Sequence, residues 1–283
     1  MQPEVVHSYA FYTNFAAWWA TLGLKTVVIG SVRSDFYWAK RNTGLVLGRL
    51  SARWPRSQIF NSVTAAKTAR CSSGLFVAKR LFVVRNGLDL RRFRDVPTSN
   101  TGRACIIGVG SLFAVKRWER LLAASAALKQ QGLDFLTRLV GDGPLRKALM
   151  QRALELGIAE RVEFIAHSDD IPGLLAEATL LVHTSDNEGC PNVVMEAMAC
   201  GRAVVATDAG DVPLLVDDGK TGFIVRRGDD ATLVTRMETL ITDRNLCRRM
   251  GEAGRAKAER EFGLGRLVAE TLAAYRAIGW KDT

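Results

Sequence analysis

The sequence predicts an α/β protein made of two doubly wound domains on parallel sheets, the first of them incomplete. Two observations carry this. Across the second half, short β-rich runs alternate with amphipathic helical stretches, the pattern of a parallel sheet covered on both faces. The first hundred residues repeat the alternation more weakly, and a stretch of linker composition separates the two.

Taken in order, "EVVHSY", "KTVVIGS", "SQIFNS" and "LFVVRNG" read as strands, with helices near 12–22, 36–52 and 62–71. The charged, then Pro, Ser, Thr, Asn and Gly-rich "RRFRDVPTSNTG" (91–102) reads as a linker, joining the domains near residue 97. Six further strands follow: "ACIIGVG" (104–110), "FLTRLVGD" (135–142), "RVEFIA" (161–166), "TLLVHT" (179–184), "AVVATD" (203–208) and "GFIVR" (222–226). Between them run helical patterns at 116–131, 144–157, 170–177, 191–200 and 229–242, and beyond 243 the chain reads as helix to its end. Six strands make one doubly wound domain, with ligands expected at the strands' carboxyl ends. Four strands are few for such a sheet, and a sheet cut short leaves an unpaired edge. A missing N-terminal segment or a partner chain covering that edge is therefore expected. The resulting domain plan is 1–96, 97–262 and a C-terminal helix over 263–283 that packs back on the first domain.

The 283 residues are 48% hydrophobic and 24% charged, an ordinary globular composition, but the formal net charge is +10. Such a charge favours anionic partners: nucleotides, phosphates, nucleic acid or an anionic membrane surface. No run reaches five like charges, which ranks nucleic acid last. The five cysteines are scattered without a C-x-x-C, which excludes a disulfide framework or a structural zinc site, and a reducing cytosol is the default. The three histidines are too far apart to suggest a metal site. The acidic, polar N-terminus does not read as a secretory signal. "AFYTNFAAWWATLGL" is too short to span a membrane; Trp18 and Trp19 could dip into a headgroup layer, but a buried helix under a sheet is the preferred expectation.

The stretch richest in chemistry is "SDNEGCPNVVMEAMACGRAVVATDAG" (185–210). With Pro191 as first helical residue, the amides of Asn192 to Val194 point back toward the preceding loop and form an anion site. Gly189 lets a ligand approach the backbone closely. Asn192 and Glu196 share one helical face, and Val194, Ala197, Met198 and Gly201 share another suited to packing on a sheet. Carboxylates at Glu188 and Glu196 could accept hydrogen bonds from sugar hydroxyls while the amides bind phosphate. The plainer alternative makes Glu188 a helix-capping acid and Glu196 a solvated one.

The whole string, with glutamates bracketing seven residues, resembles the signature of the family-4 (group 1) retaining glycosyltransferases, which have two facing Rossmann-like domains, the GT-B architecture. "VGSLFAVKRWERLLAASAAL", "LVGDGPLRKAL", "FIAHSDDIPGLLAEATLLVHTS", "VVRNGLDLRRF", "EVVHSY" and "IFNS" resemble other segments of that family in the expected order. The resemblance implies that Glu196 holds the nucleotide ribose and Glu188 contacts the donor sugar. It implies that amides of Gly189, Cys190, Pro191–Asn192 and Val193 line sugar and diphosphate, and that Lys116 neutralises the leaving diphosphate. Gly141 and Gly143 would let the backbone lie against the nucleotide. Ser111 stands where the family usually has arginine, so Arg117 is the candidate substitute. Arg33 stands nearest the place of a family histidine. His7 matches a family position but reads as structural, His183 divides evenly between packing and sugar contact, and Cys190 is not expected to react. The first strand and glycine-rich loop of the family's N-terminal domain are absent, and "GDVPLL" lacks the second glycine and glutamate usual there.

The implied activity is transfer of a sugar from a nucleotide-sugar to a hydroxyl of a glycan or lipid-linked acceptor, without metal or other cofactor, in surface or envelope glycan synthesis. The expected location is the cytoplasm, with peripheral contact at the anionic inner face of the membrane. The alternatives are a truncated nucleotide-sugar-binding module or subunit of a split transferase, and a GT-B epimerase, which explains the two domains but not the order of the motifs.

Overall fold

Short aliphatic runs become strands and the helical periodicities between them become crossovers, in two separate parallel sheets. A computed structural model of the protein describes residues 3–72, 76–93 and 102–281. The chain divides into two units: Met1–Gly87 with Glu188–Cys190 and Leu264–Thr283, and Leu88–Asn187 with Pro191–Gly263. Most of the linker read over 91–102, with its join near 97, lies outside the described residues.

In the first unit β1 (Val5–His7), β2 (Val27–Val32), β3 (Ser57–Phe60) and β4 (Arg80–Val83) pair in chain order, all parallel. Alternate residues of a strand face opposite sides. Val32 and Phe60 therefore meet Phe36, Ala52, Ala65 and Ala69 from the helices α1 (Asn14–Ala20), α2 (Phe36–Asn42), α3 (Leu45–Arg53) and α4 (Val63–Cys71) and their surroundings. Ile29 and Ile59 project to the other side. There the C-terminal segment of the chain supplies Ala274, with Leu267 and Tyr275 packed around it.

Because β1 ends at His7, the backbone of Ser31 has no strand partner on that side. The fully buried Asn14 takes its place: its amide donates to the Ser31 carbonyl at 3.1 Å and its oxygen accepts from the Ser31 N–H at 3.0 Å. A Cβ at Gly30 would stand 2.7 Å from that side chain, which accounts for a glycine in mid-strand.

Two expectations are corrected here. The segment containing Trp18 and Trp19 is not a buried helix: within α1 only Asn14 is buried and Trp19 is exposed. With seven residues it anchors along one edge, where Trp18 stacks on Trp54 at 5.1 Å. The single helix read over 36–52 is two, because Gly44 adopts φ +88° and caps a new start for α3.

The second unit contains β5 (Ala104–Val109), α5 (Trp118–Gln130), β6 (Phe135–Val140), α6 (Arg146–Glu155), β7 (Val162–Ile165), α7 (Ile171–Glu177), β8 (Leu180–His183), α8 (Asn192–Ala199), β9 (Ala203–Thr207), α9 (Val212–Leu215), β10 (Gly222–Val225), α10 (Asp230–Thr242) and α11 (Arg244–Glu261). The last helix, α12 (Leu264–Ala277), belongs to the first unit. All six strands read from the sequence are present, each shorter by one or two residues. Their order, β10-β9-β8-β5-β6-β7, is that of a doubly wound sheet, all strands parallel, with the order in which strands are added reversing between β5 and β8. Only Ile106 with Leu180 and Ile107 with Leu181 pair across that junction. Beyond them the β5–β8 ladder stops, and in a doubly wound sheet this switch point is where a ligand crevice is expected. Buried Ile106, Leu121, Leu139, Leu180, Val182 and Val205 form the core beneath it.

None of the five cysteines is in a disulfide. Among the described residues no helix is long and apolar enough to cross a membrane.

Candidate functional site

The crevice of the second unit is built by the loops that follow β5, β6 and β8. After β5 the chain passes through Gly110 and Ser111 into a short 3-10 turn, Ala114–Lys116. Lys116 folds back so that its methylenes lie 3.5–3.8 Å from where a Cβ of Gly110 would stand. Its carbonyl accepts from the Thr184 hydroxyl at 2.8 Å, and the Asp186 N–H donates to the Val115 carbonyl at 3.0 Å. The lysine loop is therefore latched to the end of β8. Ser111 is exposed, and its carbonyl accepts from the Trp118 indole at 3.0 Å.

Arg117 adopts the left-handed conformation, φ +54°, an arrangement that costs about 1–2 kcal/mol for a non-glycine residue. Its guanidinium lies 2.8 Å from the Glu119 carboxylate and 3.5 Å from Asp186. Arg117 thus faces two acids.

The glycines of the loop after β6 have a packing role in this unit. A Cβ on Gly141, at φ +140°, would fall 2.1 Å from the Gly110 carbonyl oxygen, and one on Gly143 would fall 2.7 Å from that of Leu112. The loops interlock through Gly110 N–H to Val140 O and Leu112 N–H to Asp142 O, both 2.9 Å. We expect Gly141→Ala to destabilise the protein by about 3 kcal/mol, the upper end for overpacking combined with a strained φ. Urea unfolding of the two forms checks this; matched midpoints would contradict the interlock.

Pro191 is the N-cap of α8, not its first helical residue: it is extended at φ −72°, ψ 110°, and the helix starts at Asn192. Pro191 has no side-chain acceptor to cap that end, and the Val194 N–H turns back to the Pro191 carbonyl at 3.2 Å. Val194, Met195, Ala197 and Met198 are buried against the unit, while Asn192, Val193 and Glu196 form the outer stripe. Glu196 is half-buried. Burial pushes its carboxyl above the usual carboxylate range, and the positive charge of Arg92 opposes that shift. His183 is buried at the end of β8, with 1% of its surface exposed.

Asp186 organises the loop that leads to the glutamate motif. Arg120 donates to its carboxylate at 2.5 Å and Arg227 to its carbonyl at 2.9 Å, and Arg227 also pairs with Asp208 at 3.0 Å. The Thr207 hydroxyl donates to the Ser185 carbonyl at 2.6 Å. None of these partners was legible in the sequence, because Arg120 and Arg227 lie 66 and 41 residues from Asp186.

Glu188, Gly189 and Cys190 fall in the first unit. There a Cβ on Gly189 would lie 3.4 Å from both the Asn61 side-chain oxygen and the Ser34 Cα; Glu188 is half-buried and Cys190 buried. Arg33 belongs to the same unit, donating to Asn86 at 3.1 Å and lying over the Tyr9 ring. Close by, His7 is held between the Tyr275 hydroxyl at 2.7 Å and the Ser31 hydroxyl at 2.8 Å. Burial, aided by Arg33, lowers its pKa to about 4, so the ring is neutral at pH 7. The structure thus gathers Lys116, Ser111, Arg117, Gly141 and Gly143 into interlocked loops of the second unit, with Pro191, Asn192, Val193 and Glu196 at the start of α8. Glu188, Gly189, Cys190 and Arg33 belong to the first. Among the described residues no group of three or more His, Cys, Asp or Glu side chains is placed to hold a metal ion.

Two parallel-sheet units of this topology define the GT-B class of α/β proteins. The chain belongs to the family described as glycosyl transferases group 1, whose model matches residues 89–257. It is 29% identical over 195 residues to the N-acetyl-alpha-D-glucosaminyl L-malate synthase of Bacillus anthracis, covering 69% of this chain and 50% of that protein. It is 30% identical over 187 residues to the GDP-mannose-dependent alpha-(1-6)-phosphatidylinositol monomannoside mannosyltransferase of Mycolicibacterium smegmatis, covering 60% and 49%. These matches thus span about half the length of each relative. Among solved structures, Anabaena HepE in complex with UDP-glucose superimposes with a TM-score of 0.83 at 23% identity, over 96% of this chain and 79% of that one. At that identity the likeness concerns the fold.

Proposed function

We propose that the protein transfers a sugar from a nucleoside diphosphate sugar to a hydroxyl of a glycan or lipid-linked acceptor, with retention at the anomeric carbon and no metal ion. The observation that carries this is the start of α8 with half-buried Glu196 on its outer stripe, at the carboxyl edge of a doubly wound sheet of the group 1 family.

In this reading Glu196 accepts hydrogen bonds from the ribose hydroxyls. The N–H groups of Asn192 and Val193 face the diphosphate, with Gly141, Gly143, Ser111 and His183 around the nucleotide. As the bond from the anomeric carbon to the phosphate oxygen breaks, negative charge grows on the diphosphate. Lys116 and the positive end of α8 are the groups suited to stabilise it. The departing phosphate oxygen takes the proton of the attacking hydroxyl, which delivers the new bond on the same face. The cellular setting is surface or envelope glycan synthesis, on the cytoplasmic side of the membrane.

Calorimetric titration with UDP and with GDP, followed by donor consumption with the matching sugar nucleotides, tests this. One nucleotide is expected to bind, and its sugar derivatives to turn over when acceptor is present. Binding without turnover would favour a nucleotide-sugar-binding module, and no binding of either nucleotide would overturn the assignment.

A further inference from the structure

The net charge is confined to one part of the chain. Between Asp35 and Asp89 there are ten Lys and Arg residues and no Asp or Glu; the other twenty-nine basic residues are matched by twenty-nine acidic ones. The entire formal charge of +10 therefore resides in the stretch that forms α2, β3, α4, β4 and the helix α3 of the first unit.

Within this stretch the α2–α3 corner is also the most exposed apolar surface. Leu45 and Val46, in the first turn of α3, are 81% and 73% exposed, and Tyr37 and Trp38 of α2 are about half exposed. The two helices cross closely because Gly48 has no Cβ, which would otherwise meet the Lys40 carbonyl at 2.0 Å. Between them lies an open concavity of about 510 Å³ lined by Tyr37, Lys40, Arg41, Gly44, Leu45 and Arg49. It holds three cations and no acid. Among the described residues none of these three cations is in an ion pair. Lys40 lies over the Phe36 ring at 5.7 Å and Arg49 over Phe76 at 5.6 Å.

We infer that this α2–α3 surface docks the protein on an anionic lipid bilayer, with Leu45, Val46 and Trp38 entering the headgroup layer and Lys40, Arg41 and Arg49 gripping lipid phosphates. As to the membrane, this rests on the reading above and gives it a place on the molecule; it does not depend on which sugar is moved. Solvated aliphatic side chains beside unpaired cations suit a surface that is apolar just beneath an anionic plane. A nucleic acid would satisfy the cations but leave Leu45 and Val46 in water. Trp19, the alternative anchor, lies on a helix outside the acid-free stretch.

The test is sedimentation of the full chain with vesicles of phosphatidylcholine alone and of phosphatidylcholine mixed with phosphatidylglycerol. The protein is expected to pellet with the mixed vesicles only, and to be released by salt as the charges are screened. Replacing Lys40, Arg41 and Arg49 by Gln should weaken this on the order of 100-fold, at about fivefold per charge. Leu45→Ser with Val46→Ser should weaken it at every salt concentration. Both variants are exposed and should keep the parent's affinity for UDP or GDP, measured on the same samples, which separates failure here from failure of the donor site. Equal pelleting with both vesicle types, unchanged pelleting of the triple variant, displacement by inorganic phosphate at matched ionic strength, or tighter binding of a single-stranded RNA would each overturn the inference.

Discussion

Replacing Lys116 by Met is expected to lower kcat for sugar transfer by about 10²–10³-fold, the cost of removing one preorganised group from a developing negative charge. The side chain lies against Gly110 at the end of β5, and its backbone is bound to Thr184. Methionine keeps most of the apolar stem that packs there and removes only the ammonium. The loss should therefore fall on kcat with little change in thermal midpoint, and Lys116→Arg should restore part of it. Steady-state kinetics beside calorimetric nucleotide affinity separates these quantities. A variant with parental kcat would remove Lys116 from the site.

Glu196→Gln is expected to move binding and stability in opposite directions. Affinity for the nucleotide should fall roughly 10–100-fold, since hydrogen bonds to a charged acceptor contribute about 1.5–3 kcal/mol. Stability at neutral pH should rise. The carboxyl of Glu196 titrates above its ordinary range because burial disfavours the charge, so the folded state binds the proton more tightly than the unfolded one. Above both values wild type bears the full cost of a desolvated carboxylate, and glutamine bears none. As pH falls below the ordinary glutamate value the acid is neutral in both states and the difference vanishes. A gain of roughly 2–4 °C in Tm at pH 7–8, for about 1 kcal/mol, shrinking toward pH 4, is the expected signature. Thermal melts across pH check it. A variant less stable than wild type at pH 8 would mean that Glu196 supports the fold rather than the site.

The regular elements were legible because each is a local property. Alternation of aliphatic and amphipathic runs marked ten strands, and Gly189, Pro191, Asn192 and Glu196 announced a helix start suited to an anion. Reading failed where a distant neighbour decides. The apolar look of the segment around Trp18 suggested burial, but whether a seven-residue helix is covered depends on what packs over it, and nothing covers Trp19. That Gly141 and Gly143 also pack on the backbone of the loop after β5 is a contact no local pattern shows. Arg117 looked like a spare cation until Asp186 came within reach.

The sequence by itself determined that this is an α/β chain with two sheets, that the second is a complete doubly wound sheet, and that its glutamate motif follows the strand before α8. Periodicity, turn residues and motif order are written along the chain and need no partner to be read. Only the tertiary structure decided that β5 and β8 diverge after two ladder pairs, that α12 covers the back of the first sheet, and that Asn14 completes β2 in place of a strand. It also decided that Asp186 is clamped by Arg120 and Arg227, and that the acid-free stretch presents its cations beside exposed Leu45 and Val46. These are contacts between residues tens to hundreds of positions apart, set by side-chain shape and charge once the sheets have brought them together.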